Sequence, residues 1–154
     1  ISEEKVNTEF GMMKLIVYSD LLSKNTHLAF VKGEIEKDDE VVVRVHEPLS
    51  ILDFVSKETP HSWPPLKALK KISNEKNGVV IFLNYNESQN NITSKLNHEN
   101  ITLKKSTDLR SYGIGSQILV DIGVSKMKLL AAPRKMPSMA GYGLQVTEFI
   151  ENDI

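Results

Sequence analysis

The sequence predicts an α/β domain, a mixed sheet with flanking helices. Three observations predict it. Val41–Val45 is a β-branched run and Val79–Leu83 a continuous apolar run, both dense enough to be buried strands. Between them Leu66, Leu69 and Ile72 recur at helical spacing with lysines on the other face. Strand, helix, strand in that order is a crossover unit in a parallel or mixed sheet. Beyond residue 110 the chain reads helix, strand, helix, strand, which repeats the alternation.

In chain order, Lys14–Tyr18 and His27–Val31 alternate apolar and polar residues around a Ser-Lys-Asn turn cluster, which predicts two paired strands. Glu36–Glu40 (EKDDE) is a charge run, read as a solvated turn ahead of Val41–Val45. Pro64 and Pro65 suit a first helical turn, where a missing N–H has no partner to lose, so a short amphipathic helix follows Trp63. Asn77 and Gly78 end it. Asn84 to Lys105 is polar and asparagine-rich, and is predicted to be a long loop. Asn91-Ile92-Thr93 matches a glycosylation acceptor, a pattern too short to carry weight. Ile114, Ile118, Leu119 and Ile122 define a helix with Gly123 as its stop. Lys126–Leu130 is strand-like, Pro133–Ala140 a short helix ended by Gly141, and Leu144–Ile150 a last alternating strand. No repeat, heptad run or composition shift divides the chain, so residues 1–154 are expected to form one domain.

Composition narrows the function classes. Nineteen Lys and Arg against twenty Asp and Glu leave a net charge of -1, so no whole-molecule field draws the chain to nucleic acid or anionic lipid, and neither is an expected partner. No run approaches the ~18 apolar residues of a membrane helix. Zero cysteine removes disulfides and thiolate catalysis, and agrees with a reducing compartment; the cytoplasm is the expected location. The first residue is Ile1 rather than Met, with no targeting pattern after it, so a segment of a longer polypeptide is expected.

Five stretches carry a resemblance. They are Thr8-Glu-Phe-Gly11, His27-Leu-Ala-Phe-Val-Lys-Gly-Glu34, Arg44-Val-His46, Asp108-Leu-Arg-Ser-Tyr-Gly-Ile-Gly115, and Leu129 to Leu144 with Pro133-Arg-Lys135 and Gly141-Tyr-Gly-Leu144. In order and spacing the chain resembles the GTP cyclohydrolase II family, zinc enzymes that open riboflavin biosynthesis, over most of its length except a central third. The resemblance implies a GTP cyclohydrolase II-like fold and a site at which Arg44, His46 and Lys135 bind ligand. It also implies that Asp108 is a proton acceptor and that Arg110 attacks the α-phosphate of the nucleotide.

The same resemblance exposes what is missing. Active relatives continue Arg-Val-His into Ser-Glu-Cys and place a Cys-x-Cys pair about ten residues on. Three thiolates then hold a zinc with one position open for a water made nucleophilic near neutral pH. Here Arg44-Val-His46 runs into Glu47-Pro48-Leu49, so leucine stands at the first thiolate position, and Phe54 to Trp63 offers no sulfur for the others. His46 and His61 have no partner at i,i+4 spacing that would replace them. The family's zinc is therefore expected to be absent, with no other cofactor. The Arg-Gln-Glu-Gly-Arg-Gly stretch of relatives is replaced by Asn84-Tyr-Asn-Glu-Ser88, a helical insert carrying a tyrosine is lacking, and Ala131 stands for a threonine.

What persists suits an anion. Asp108 and Arg110 precede Gly113 and Gly115 at a helix start, where backbone N–H groups, the helix dipole and a guanidinium converge. The plainer alternative is that Asp108 caps the helix, Arg110 pairs with it, and the glycines allow close packing. Gly113-Ile-Gly115 lacks the third glycine and preceding strand of a dinucleotide fingerprint.

Three functions follow in order. The first is a zinc-free GTP cyclohydrolase II-like domain that serves dimerisation, stability or regulation of a 3,4-dihydroxy-2-butanone 4-phosphate synthase, the lyase to which such domains are frequently fused. Its partners would be an N-terminal synthase domain and a second copy in a homodimer. The second is a binding module that senses a phosphate, nucleotide or flavin-pathway ligand. The third is an enzyme still cleaving GTP.

Overall fold

The structure, a computed structural model, describes residues 2–21, 24–46, 63–83, 113–131, 133 and 137–151. Seven strands form one sheet: β1 (Ser2–Thr8), β2 (Gly11–Ser19), β3 (Thr26–Lys32), β4 (Glu40–His46), β5 (Gly78–Phe82), β6 (Lys126–Leu130) and β7 (Gln145–Ile150). Among the described residues three helices accompany them: α1 (Pro65–Ser73), α2 (residues 113–122) and α3 (Pro137–Ala140). The strand order is β1-β2-β3-β5-β4-β6-β7. The β1, β2, β3 and β5 neighbours pair antiparallel, and β5, β4, β6 and β7 pair parallel. The sheet is mixed, as the sequence predicts, and β4-α1-β5 is the expected crossover.

Successive residues of a strand face opposite sides of the sheet, which gives this one two cores. Val41, Val43 and Val45 of β4 face Ile118 and Leu119 of α2, together with Ile16, Ala29, Val31, Val79 and Ile81. Val42 faces the other way, toward Ala68, Leu69 and Ile72 of α1, with Met13, Trp63, Val80 and Phe82. A strand buried on both faces has no regular polar alternation, which is why β4 is a valine-rich run and β5 a continuous apolar one.

Helix α2 ends as its sequence requires. Gly123 adopts φ 103° and donates its N–H to the carbonyl of Leu119, as does Val124. A positive φ is strained for other residues, so glycine closes the helix at little cost. Earlier in α2, Gly115 lies so close to β4 that a β-carbon would stand 3.2 Å from Cγ1 of Val45. Helix and strand are seated in direct contact there. Across the sheet Tyr18 donates its hydroxyl to Oδ2 of Asp121 at 2.7 Å, pinning β2 to α2. Burial raises the phenol above its ordinary range, and the hydrogen bond to the Asp121 carboxylate adds to this. Above about pH 10 the unfolded chain gives up this proton while the folded chain keeps it. The stability from this contact is therefore complete well below pH 10 and falls as pH rises, by at most about 1.4 kcal/mol per unit. Tyr18→Phe is expected to remove that component of the slope, measured by urea unfolding between pH 9 and 11.

Helix α1 differs from the reading in one residue. Leu66 is 50% exposed, while Ala68, Leu69 and Ile72 make the buried face. At 100° per residue Leu66 lies on the lysine side, and small Ala68 takes the place beside Leu69 and Ile72. Its last turn carries Lys70 and Lys71, and Lys71 pairs with Glu75 just past the helix at 3.0 Å. Lys32, from β3, adds a third cation there and donates its ammonium to the carbonyls of Ser73 at 3.0 Å and of Glu75. A cation at this end satisfies orphan carbonyls and opposes the helix dipole. Lys32→Met is expected to cost about 1–2 kcal/mol, read from the denaturation midpoint at unchanged slope.

Two boundaries also shift. The last short helix begins at Pro137 among the described residues, and β2 starts at Gly11, three residues earlier than its alternation suggests. The asparagine-rich stretch from Asn84 to Lys105 lies outside the described residues. No described helix is long and apolar enough to cross a membrane.

Candidate functional site at the carboxyl ends of the parallel strands

In open α/β sheets, ligands bind beyond the carboxyl ends of the parallel strands, where the connecting loops leave. Here that edge is formed by His46 at the end of β4, Phe82 at the end of β5 with Leu83 after it, Leu130 at the end of β6 with Ala131 after it, and Ile150 of β7. The chain leaving β4, β5 and β6 at this edge continues into residues 47–62, 84–112 and 134–136, outside the described part. Asp108, Arg110 and Lys135 all belong to those stretches, so their placement is outside the described residues, as is that of Leu49 and His61.

Arg44 and His46 are described, and they lie on the same face of β4 by alternation. Both are buried, at 6% and 0% exposure. The Arg44 guanidinium donates from Nη1 to the carbonyl of Leu130 at 2.9 Å, which ties the end of β6 to β4. A buried cation is tolerable only where such hydrogen bonds replace water. His46 pairs in register with Phe82, their ring centroids 6.0 Å apart, and its carbonyl accepts the N–H of Leu83 at 3.0 Å. Phe82 in turn meets Phe30 edge to face at 5.7 Å.

One residue that sequence reasoning passed over completes this edge. Trp63, 4% exposed, donates its indole N–H to the carbonyl of Ile150 at 2.9 Å, joining the approach to α1 with the end of β7. The same carbonyl accepts the N–H of Ala131 at 3.1 Å. The signal was available: a lone tryptophan before two prolines, at the start of an amphipathic helix. Among the described residues no three His, Asp or Glu side chains come together as a metal site would need.

A seven-stranded mixed sheet with this edge is an α/β domain of one recognised kind. Residues 1–151 match the model of the GTP cyclohydrolase II family, and the chain belongs to that family. It is 39% identical over 146 residues to 3,4-dihydroxy-2-butanone 4-phosphate synthase of Neisseria meningitidis serogroup A, covering 95% of this chain and 40% of that protein. It is 33% identical over 166 residues to riboflavin biosynthesis protein RibBA of Chlorobium phaeovibrioides, covering 99% of this chain and 40% of that one. The crystal structure of RibBX, a two-domain 3,4-dihydroxy-2-butanone 4-phosphate synthase from A. baumannii, superposes with a TM-score of 0.61 at 28% identity. That superposition covers 97% of this chain and 39% of RibBX. The chain thus spans about two fifths of the length of the relatives it matches.

Proposed function

We propose that the chain is a riboflavin-biosynthesis domain that keeps the GTP cyclohydrolase II scaffold without its zinc or its GTP hydrolysis. It serves as the accessory domain of a 3,4-dihydroxy-2-butanone 4-phosphate synthase in the same cytoplasmic polypeptide. The observation that carries this reading is the absence of any cysteine from the whole chain. A three-thiolate zinc cannot be built from these residues, and leucine has no lone pair to offer at position 49. Among the described residues no three His, Asp or Glu side chains come together to replace the thiolates.

Two further facts support the reading. Proteins bearing the synthase name align with this chain over 40% of their length, leaving room for a second domain. Arg44 and His46, through which a ligand would be held, are buried, and Arg44 serves a backbone carbonyl of a neighbouring strand. That is the arrangement of a scaffold residue, and it favours the accessory role over a ligand-sensing one. Reading the coding sequence immediately upstream of Ile1 tests the proposal. An in-frame synthase domain is the expected result, and a stop codon or an unrelated domain there overturns the accessory role.

A further inference from the structure

We propose that Asn77 is a modification site: its side-chain amide stays intact while the chain is folded, and is converted to aspartate or isoaspartate once the junction between α1 and β5 opens. Asn77-Gly78 is the only Asn-Gly pair in the sequence. In such a pair the backbone nitrogen after the asparagine has no side chain beside it to shield it, so it can reach the asparagine's own side chain. The nitrogen of Gly78 bonds to Cγ of Asn77, the Cγ–Nδ2 bond breaks, and the amide leaves as ammonia with the proton of Gly78. Water then opens the five-membered imide at one of its two carbonyls. The product is either an aspartate or a main chain lengthened by one carbon.

Packing fixes this pair in place. A β-carbon on Gly78 would stand 2.6 Å from Cβ of Ile72 and 3.2 Å from the carbonyl oxygen of Val42, so α1 seats on the sheet only where residue 78 is glycine. Asn77, 5% exposed, donates from Nδ2 to the carbonyl of Glu34 at 3.3 Å and to Oδ2 of Asp39 at 3.1 Å. The same Oδ2 accepts the N–H of Glu36 at 2.9 Å, so one buried amide ties the turn between β3 and β4 to the start of β5. Both amide protons are thus engaged, and Gly78 lies between Lys32 of β3 and Val42 of β4. Neither group can turn toward the other until these contacts part, so reaction waits on local opening. The product then opposes re-closure. A carboxylate at position 77 leaves the Glu34 carbonyl without its donor and sets a like charge against Asp39 where a hydrogen bond stood. The isoaspartyl form also displaces Gly78 from its register. A chain that has opened is thereby marked irreversibly.

The wild-type chain supplies the first test. It is incubated at mildly alkaline pH in buffer or in denaturing urea, digested, and read residue by residue by fragment mass spectrometry. Position 77 is expected to convert at least about a hundredfold more slowly in buffer, because only the opened fraction reacts. Asp39→Ala is expected to raise the rate in buffer about tenfold and to leave the rate in urea unchanged, since it frees the amide without touching the reacting atoms. Asn77→Asp, which carries the product's charge, is expected to melt roughly 4–10 °C below the wild type. Adding Asp39→Asn restores a donor and acceptor pair with its polarity reversed, and is expected to recover about half of that loss. Equal rates in buffer and urea overturn the proposal, as does a position 77 that survives in urea while other asparagines convert. An Asn77→Asp chain that melts with the wild type, or whose loss Asp39→Asn leaves untouched, overturns the opposition to re-closure.

Discussion

Given GTP, excess zinc and magnesium, the purified chain is expected to release no formate above the uncatalysed background. The argument is chemical. Opening a purine ring and expelling one carbon requires water to attack where it is a poor nucleophile, and a Lewis acid contributes several kcal/mol to that step. Each 1.36 kcal/mol is a factor of ten, so removing such a term costs about a thousandfold or more. Three thiolates supply the ion's tetrahedral cage in the family, and this chain contains none. A single back-substitution, Leu49→Cys, is expected to restore nothing, because one thiolate among waters neither fixes the geometry nor competes with free solution for the metal. Metal content by mass spectrometry is an independent check that does not depend on turnover. Stoichiometric zinc that survives dialysis, or formate release that Arg110→Ala abolishes, would sink the pseudoenzyme reading.

How much of this was legible in the sequence depends on whether a residue's partner is near or far along the chain. Strands β2 to β6 and helix α2 were readable because burial imprints a period on neighbouring residues. The Gly123 stop follows from local backbone geometry alone. Strand β1 escaped because Ser2–Thr8 (SEEKVNT) is almost wholly exposed, and its stability comes from main-chain bonds to β2 rather than from buried side chains. A polar edge strand has an alternation with no amplitude to detect. Leu66 was placed on the buried face because apolar character at i and i+3 tolerates two phases, and only the neighbouring sheet decides between them. The strand order, with β4 inserted between β5 and β6, rests on pairings between distant residues that no local window contains.

The candidate site was legible in a different sense. Arg44 and His46 stood out through resemblance, and their i,i+2 spacing gives them one face of β4, yet nothing local tells how deep they lie. Their burial is a consequence of α1 and β6, elements 19 residues and more away. Asp108 and Arg110 follow β5 in the chain and Lys135 follows β6, all three outside the described residues.

That edge makes Trp63 the residue whose loss should be felt most in stability. Trp63→Ala is expected to destabilise the fold by about 3–5 kcal/mol, from lost transfer energy and the cavity left among Leu69, Phe82 and Leu130. At this chain length the melting temperature should fall by roughly 6–20 °C. Trp63→Phe separates packing from hydrogen bonding. It keeps an aromatic ring in the cluster but removes the donor to Ile150, and the carbonyl it abandons still accepts the N–H of Ala131 at 3.1 Å. No buried acceptor is orphaned, so the cost should be about 1 kcal/mol, the net worth of one hydrogen bond. The ammonium of Lys67, 5.8 Å from the indole centroid, is exposed and adds little. If Phe costs as much as Ala, the indole N–H rather than the ring holds α1 to the end of β7. Packing would then be secondary at this edge.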